Sequence, residues 1–388
     1  MSRLSKKLTL PALLSVALST ALPASAADCP PRPHWPTEDW PEAKDRVASR
    51  AAQLQAMEDY AFKLEGRDEE RKGVRTDALL LIHRGQVVYE RYGRGFDASK
   101  RHLAWSMSKS FTNALTGIAV GRGAVALDDS ICQHVQVKRR ESCAITVQNL
   151  LEFGSGLDWH ENYENGGSYQ TSSVLAMLYG EGRKDMASFV ASHPLRDKPG
   201  TAWNYSSGDT TLLAGVLDGA LRPSLGKDWA WPLLFDVLGM KSATWERDGK
   251  GVVVGSSYVH ATPRDLGKLG FLYLHDGCWA NGRVLPEGWV ERSTQVSEPI
   301  KLKRYDWGEG DVQGWQFWLN RRIPGVQNTL PWPSVPEGAY AARGHWGQSV
   351  TVIPSKDLIV VRTADDRDGS FTLDTLLKLA LAVVEELP

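Results

Sequence analysis

The stretch Ala104-Trp-Ser-Met-Ser-Lys-Ser-Phe111 places the hydroxyl of Ser106 three residues before the ammonium group of Lys109. The apolar residues after it recur with helical spacing as far as Gly121, and positions i and i+3 share one helix face, so the two side chains can meet. A serine at a helix start lies beside free backbone N–H groups and the positive end of the helix dipole, which stabilise an oxyanion. A partly desolvated lysine has a lowered pKa and can take the serine proton. The pattern therefore predicts a nucleophile and a base for acyl transfer.

The Ser-x-x-Lys pattern is short, and a second copy, Ser224-Leu-Gly-Lys227, shows how easily it recurs. That copy follows Pro223 and contains Gly226, so we predict a loop without function there. The first copy therefore needs support from the rest of the chain.

The N-terminal residues have the pattern of a secretory signal peptide. Three basic residues precede an apolar stretch over residues 8–22, and Ala24-Ser-Ala26 supplies the small residues of a cleavage site. A retained membrane anchor is the alternative, but the apolar stretch is short and is interrupted by Pro11 and two serines. We therefore expect residues 1–26 to be removed and the protein to be periplasmic or secreted.

Composition and cysteine content narrow the function of the mature chain. The 388 residues carry a formal net charge of −1 and no basic patch, which argues against a nucleic-acid partner. No second long apolar segment follows, so we predict no membrane span in the mature chain; the sequence does not fix the oligomeric state. Export permits disulfides. Cys132 and Cys143 are the favoured pair because they are close in sequence, Cys29 could also pair with Cys278, and four free thiols are equally open.

Strands are predicted near both ends of the chain, with helices between them. The two predicted β-hairpins are residues 77–83 with 86–90 around Arg84-Gly85, and residues 349–353 with 357–361. Helices are predicted over about 42–64 and 372–386, and Thr262-Pro-Arg-Asp265 starts another, with Thr262 as its cap and Asp265 closing the capping box. We therefore predict an α/β (α+β) fold, in which an antiparallel sheet is flanked by helices and joined to a mainly helical subdomain. Residues 27–388 form one domain, with a sheet lobe over about 65–105 and 245–388 and a helical lobe over about 106–244.

Three further segments raise the significance of Ser106 and Lys109. They are Ser155-Gly-Leu-Asp-Trp159, Trp203-Asn-Tyr-Ser-Ser-Gly-Asp209 and Arg343-Gly-His-Trp-Gly-Gln348. In this order the motifs resemble the serine β-lactamase and penicillin-binding-protein superfamily, and within it the class C-like branch that contains esterases and 6-aminohexanoate-dimer hydrolase. The resemblance runs from about residue 70 to the C-terminus. It implies a β-lactamase/transpeptidase-like fold and a serine hydrolase.

The resemblance also implies roles for individual residues. Ser106 would be the nucleophile that forms an acyl-enzyme, and Tyr205 the residue that passes the proton to the leaving group. Lys109 would be either the general base or the group that keeps Tyr205 deprotonated, so the primary base is left open between the two. The oxyanion hole would be the backbone N–H groups of Ser106 and Gln348. Because a neighbouring ammonium favours a phenolate, we expect Lys109 and Tyr205 to titrate as a coupled pair. The reaction needs no cofactor and no metal.

Two departures from the family pattern bear on the substrate. His345 stands where β-lactamases and transpeptidases usually have lysine, and Ser207 stands where they usually have asparagine. Those groups contact the β-lactam or its carboxylate in the family, so their replacement favours small-molecule esters or linear amides over β-lactams and D-amino-acid peptides. Tyr163 matches a tyrosine that borders the pocket in the aminohexanoate branch. Trp332 and Trp346 are further candidate pocket walls.

Other interpretations have less support. Glu161-Asn-Tyr-Glu-Asn165 matches the Glu-x-x-x-Asn motif of class A β-lactamases, but it precedes the tyrosine motif, so we interpret it as a coincidence. The chain has no Gly-x-Ser-x-Gly elbow of an α/β-hydrolase and no His-Glu-x-x-His of a metallohydrolase. A non-catalytic penicillin-binding-like module remains the alternative from another class. Loops around residues 160–185 and 300–335 are predicted to shape the pocket.

Overall fold

Strands lie mainly near the two ends of the chain and helices in its middle. The structure is a computed structural model that describes residues 29–163, 168–305, 311–327, 329–385 and 387. The strands are β1 Leu64–Glu65, β2 Lys72–Gly73, β3 Thr76–His83, β4 Gln86–Tyr92, β5 His102–Leu103, β6 Thr244–Trp245, β7 Val259–Ala261, β8 Cys278–Trp279, β9 Gly282–Arg283, β10 Trp318–Leu319, β11 Tyr340–Gly344, β12 Gln348–Ile353 and β13 Leu358–Ala364. The α-helices are α1 Ala51–Ala61, α2 Ser108–Gly121, α3 Val147–Leu151, α4 Ser173–Leu178, α5 Met186–Ala191, α6 Ser207–Leu225, α7 Asp236–Leu238, α8 Pro263–Leu274, α9 Trp289–Ser293, α10 Glu298–Leu302 and α11 Leu373–Val384.

A six-stranded antiparallel sheet joins the two ends of the chain. Its strand order is β10-β11-β12-β13-β3-β4, so the two predicted hairpins lie side by side. The pairing of β13 with β3 places Val360 opposite Leu81 and closes the sheet across most of the sequence. The predicted α/β class with an antiparallel sheet is confirmed. The predicted signal peptide, residues 1–26, lies outside the described residues.

The first hairpin follows from its turn residues. Arg84 and Gly85 have φ angles of 53° and 75°, both in the left-handed region. A two-residue turn of that kind matches the right-handed twist of the strands on either side, and glycine adopts it without a Cβ penalty. The turn therefore fixes β3 and β4 as neighbours.

The sheet has a hydrophobic core on each face because side chains alternate along its strands. Leu80 and Ile82 of β3 belong to the core that contains α8, whereas Leu79 and Leu81 belong to the core that contains α11. All four side chains are buried, and each contributes roughly 1.5–3 kcal/mol to folding. Helices therefore cover both faces of the sheet.

Two local expectations are corrected. Thr262 caps α8 by accepting from the N–H of Asp265, but Asp265 does not close a capping box. Its carboxylate instead accepts from the backbone and hydroxyl of Ser242 and pairs with Lys268 at 3.0 Å. The predicted loop at Ser224 is also wrong, because α6 continues to Leu225. Thirteen of its residues are buried, and this packing outweighs the helix-breaking effect of an internal proline.

All four cysteines are paired. The bridges are Cys29–Cys278, with 5.6 Å between Cα atoms, and Cys132–Cys143, with 5.2 Å. The structure thus selects both disulfides from the alternatives that the sequence left open. Two disulfides indicate an oxidising compartment. No helix in the described part of the chain is long and apolar enough to cross a bilayer.

Candidate active site

Ser106 lies in a short 3-10 turn, Trp105–Met107, that leads directly into α2. The turn packs against β11 at the point where a Cβ built on Gly344 would lie 2.2 Å from the carbonyl oxygen of Ala104. Only glycine permits this approach of the end of β11 to the Ser106 turn. Trp105 itself has a φ of 48°, a strained value for a bulky residue, and such strain is common at functional sites.

Lys109 is buried beneath Ser106. Its Nζ lies 3.1 Å from Ser106 Oγ, 2.9 Å from Ser207 Oγ and 3.2 Å from the carbonyl oxygen of Ser256. Burial lowers the pKa of Lys109 to about 8, against the opposing effect of the Glu161 carboxylate. A substantial share of the molecules therefore carries a neutral amine at mildly alkaline pH, as a general base requires.

Tyr205 completes the group around the serine. Its hydroxyl is hydrogen-bonded to the Ser106 hydroxyl, and its ring centroid lies 4.9 Å from Lys109 Nζ. The ring packs between Phe153 and Trp318 and is buried. Burial raises the pKa of Tyr205, and the Glu161 charge raises it further. The expected phenolate is therefore not favoured, and a neutral Tyr205 suits proton donation.

The turn between β11 and β12 carries the second candidate oxyanion donor. Trp346 and Gly347 have φ angles of 58° and 86°, and a Cβ on Gly347 would collide with the Asp366 carboxylate. The Gln348 side chain locks this turn, because its Nε2 donates to the carbonyl of His345 at 3.1 Å and its Oε1 accepts from the Ala364 N–H. The side chain of Gln348 is thus structural, and the residue lines the cavity together with Ser106.

A cavity of about 1020 Å³ opens over Ser106. Four of the five predicted substrate-contact residues border it, namely Tyr163, His345, Trp346 and Trp332. His345 stacks on Tyr163 with 5.6 Å between ring centroids, and Trp346 lies 5.1 Å from Trp105. Trp332 is only 4% exposed and belongs mainly to the hydrophobic core behind the wall. The fifth residue, Ser207, lies beneath the cavity, where it contacts Lys109.

The two ranges predicted as pocket loops do line the cavity, but partly with regular structure, because Leu175 and Leu178 lie in α4 and Trp318 lies in β10. Leu175, Leu178 and Tyr179 come from the first predicted loop region, and Asp311 and Trp318 from the second. Residues 366–374 form another wall, which sequence reasoning missed. Their position depends on the pairing of β13 with β3, a contact between distant parts of the chain.

Glu161 is a site residue that the sequence interpretation missed. Its carboxylate accepts from the Ser207 hydroxyl at 2.5 Å and from the Tyr163 hydroxyl at 2.7 Å. Ser207 in turn contacts Lys109, so a partly buried chain of polar groups joins Glu161 to the lysine. The motif match at Glu161 drew attention to the residue, but nothing in the local pattern indicated this contact.

An ion pair also borders the cavity. The Arg343 guanidinium lies 3.9 Å from the Asp311 carboxylate and 5.1 Å from the centroid of the Trp318 ring. Burial raises the pKa of Asp311, and Arg343 opposes that shift. Sequence reasoning missed this pair, although Arg343 stands next to the His345 motif. Within the described ranges, no group of three or more His, Cys, Asp or Glu side chains could hold a metal ion.

Comparisons with known proteins identify related chains. The family model described as Beta-lactamase matches residues 50–383. The 6-aminohexanoate-dimer hydrolase of Paenarthrobacter ureafaciens is 24% identical over 250 residues, which cover 63% of this chain and 63% of that protein. The chain therefore spans just under two thirds of that relative's length.

Two solved structures have a similar fold. EstCE1, described as a hydrolase with promiscuous acyltransferase activity, has a TM-score of 0.63 and 14% identity, covering 88% of this chain and 99% of its own. A β-lactamase/D-alanine carboxypeptidase from Pseudomonas syringae has a TM-score of 0.58 and 15% identity, covering 88% and 100%. Because the Beta-lactamase family model matches most of this chain, the chain belongs to the beta-lactamase family of hydrolases.

Proposed function

We propose that the protein is an exported serine hydrolase that cleaves esters or linear amides of small molecules through an acyl-enzyme on Ser106. One observation carries the proposal. The Ser106 hydroxyl, which borders a large cavity, contacts both the buried amine of Lys109 and the buried hydroxyl of Tyr205. A nucleophile with a base and an acid in direct contact is the arrangement that acyl transfer requires.

Acylation uses each of these groups once. Neutral Lys109 takes the Ser106 proton as Oγ forms a bond to the substrate carbonyl carbon, and the carbonyl oxygen becomes an oxyanion. The backbone N–H groups of Ser106 and Gln348 stabilise that charge. The bond from the carbonyl carbon to the leaving oxygen or nitrogen then breaks. Tyr205 gives its proton to the leaving group and recovers one from the Lys109 ammonium.

Deacylation repeats these steps with water as the nucleophile. A water molecule in the cavity gives a proton to the base as its oxygen attacks the ester carbon of the acyl-enzyme. The bond to Ser106 Oγ breaks, the serine regains its proton, and the carboxylic acid product leaves. The lysine and the tyrosine end in the states in which they began.

The cavity supports esters and linear amides as the substrate class. An imidazole, that of His345, stacks on the Tyr163 ring at the position where the family usually has the ammonium of a lysine. Ser207 is bound to Glu161 and Lys109 and is therefore engaged within the protein. The names of the similar hydrolases, one acting on an aminohexanoate dimer and one transferring acyl groups, agree with this class.

Two features support export. The sequence of residues 1–26 has the pattern of a signal peptide, and both disulfides suit an oxidising compartment. Amino-terminal sequencing of the protein secreted by an expressing bacterium tests this part of the proposal. A mature chain that begins at Ala27 is expected, and a retained N-terminus in the soluble periplasmic protein would contradict it.

The enzymatic proposal is tested with a fluorophosphonate probe and a substrate panel. Wild-type protein should be labelled covalently, and Ser106→Ala should not. Hydrolysis of p-nitrophenyl esters and of 6-aminohexanoate dimer should exceed that of nitrocefin and of a D-alanyl-D-alanine peptide. Absence of labelling, or labelling that persists in Ser106→Ala, would refute the role of the serine. Preferred turnover of nitrocefin or of the D-alanyl peptide would refute the substrate class.

A further inference from the structure

The Glu161 carboxylate makes four hydrogen bonds and accepts in all of them. One oxygen, Oε1, receives the hydroxyls of Ser207 at 2.5 Å and Tyr163 at 2.7 Å. The other, Oε2, receives the indole N–H of Trp159 at 2.6 Å and the backbone N–H of Ser207 at 2.9 Å. Ser207 is the first residue of the 19-residue helix α6, so its N–H belongs to the positive end of the helix dipole. Only an ionised carboxylate satisfies four donors in this way.

This arrangement fixes the direction of the Ser207 hydroxyl. A serine hydroxyl has one proton, and the shortest contact of Ser207 Oγ is the one to Glu161. Its contacts to Lys109 Nζ, at 2.9 Å, and to the Tyr163 hydroxyl, at 3.0 Å, are longer. With its proton on Glu161, Ser207 can only accept a hydrogen bond from Lys109.

The direction of the Ser207 hydroxyl in turn orients the Lys109 amine. Neutral Lys109 has two N–H groups and one lone pair, and it has three partners. The carbonyl oxygen of Ser256 can only accept, and so can Ser207 Oγ. Both N–H groups are therefore used, and the lone pair points to the remaining partner, Ser106 Oγ, at 3.1 Å.

We propose that Glu161 is a positioning residue of the active site, because it holds the Ser207 proton away from Lys109 and so directs the amine lone pair at the Ser106 hydroxyl. The inference rests on the proposed function, in which Lys109 is the base for Ser106. Without the charge of Glu161, the Ser207 hydroxyl can turn and donate to the lysine lone pair. The lone pair of Lys109 then accepts a hydrogen bond from Ser207 instead of the proton of Ser106.

Glu161 also sets the charge environment of Lys109. The titratable and charged groups around the lysine, from the elements packed about it and from the cavity wall, are Glu161, Tyr163, Tyr205, Asp209, Asp311, Arg343 and His345. Of these, the Glu161 charge is the one that raises the Lys109 pKa, against the lowering effect of burial. Removal of that charge should therefore lower the Lys109 pKa and move the onset of reactivity to lower pH.

The test is the pH dependence of the second-order rate at which a fluorophosphonate labels Ser106 in the full-length protein, compared between wild type and Glu161→Gln. The amide of this variant keeps the shape of the side chain, but it has one oxygen and one NH2 group, so only one of its two terminal atoms can accept hydrogen bonds. We expect the limiting rate at high pH to fall at least about tenfold, and the midpoint of the rise to move down by roughly one pH unit. A purely structural role would reduce the amount of folded protein without moving the midpoint.

Two further variants make the outcome specific. Glu152→Gln is the control, because the Glu152 carboxylate is likewise hydrogen-bonded to protein side chains, but to those of Gln148 and Trp315 instead of the site. Its rate and midpoint should equal those of the wild type. Ser207→Ala removes the hydroxyl that Glu161 orients, so its limiting rate should also fall, and adding Glu161→Gln should lower that limiting rate no further.

The outcomes separate this proposal from the proposed function. Wild-type protein that is not labelled at all refutes the serine hydrolase itself. Labelled wild type with an unchanged rate and midpoint in Glu161→Gln refutes the positioning role alone. Multiplicative losses in the double variant also refute it, since Glu161 would then act independently of Ser207. If Glu161→Gln fails to fold, a wild-type rate in Ser207→Ala is the refuting result.

Discussion

Gly344→Ala should impair acylation far more than it impairs folding. Gly344 has extended backbone, with φ at −129°, so alanine fits the backbone and the effect comes only from the added methyl group. That methyl would lie 2.2 Å from the Ala104 carbonyl oxygen, whereas ordinary Cβ contacts begin near 3.4 Å. Strand β11 and the Ser106 turn must therefore separate by about 1 Å. A shift of this size costs on the order of 100-fold in rate, while such overpacking costs about 1–3 kcal/mol of stability.

Gly219→Ala provides the matched control for this prediction. A Cβ there would lie 2.3 Å from the carbonyl oxygen of His134, an equal overlap in helix α6 away from the cavity. Urea unfolding should give similar losses of stability for the two variants. The fluorophosphonate labelling rate should fall about 100-fold for Gly344→Ala and stay within about threefold of the wild-type value for Gly219→Ala. Equal labelling rates in the two variants would refute the argument that Gly344 positions the nucleophile.

Three further predictions concern the base, a buried acid and a disulfide. Lys109→Ala and Tyr205→Phe should each lower p-nitrophenyl acetate turnover at least about 100-fold while the circular dichroism spectrum is unchanged; a wild-type rate in either would contradict the assigned roles. Burial raises the pKa of Asp209 to about 7, so the folded state keeps a proton that the unfolded state releases near pH 4. This stabilisation is complete below pH 4 and is lost as pH rises to 7. Relative to Asp209→Asn, the wild-type free energy of unfolding should therefore fall by about 3 kcal/mol over that window, and parallel pH profiles would contradict this. Replacing Cys132 and Cys143 by serine should lower the free energy of unfolding in urea by roughly 2–3 kcal/mol. An unchanged free energy of unfolding would contradict a stabilising role of this disulfide.

The parts of the fold that the sequence predicted are those that local chemistry determines. The Arg84-Gly85 turn fixes one hairpin, and the continuous apolar run at the start of β13, residues 358–361, is typical of a strand buried on both faces. The wrong predictions concern positions whose structure depends on contacts with residues distant in sequence. Packing of α6 carries the helix past Pro223. Ser242, twenty residues before the N-cap Thr262, binds the Asp265 carboxylate that would have closed the capping box.

The candidate site divides in the same way. The spacing of Ser106 and Lys109 on one helix face predicted that they meet, because it depends only on helix geometry. The family resemblance pointed to Tyr205, which contacts Ser106 in the structure. Local sequence patterns could not predict this contact, because the two residues are far apart along the chain. Glu161 and the Arg343–Asp311 pair were missed, because each owes its place to residues far away in sequence.

The acyl-enzyme on Ser106 is the central claim, and its direct observation is the decisive measurement. Wild-type protein mixed with p-nitrophenyl acetate should release a burst of p-nitrophenol close to one equivalent per active site. Acid quenching and peptide mass spectrometry should then find one acetyl group on the peptide that contains Ser106. Ser106→Ala should show neither the burst nor the acetyl group. Turnover by the wild type with no acetyl group on Ser106, or with the acetyl group on another residue, would contradict the account.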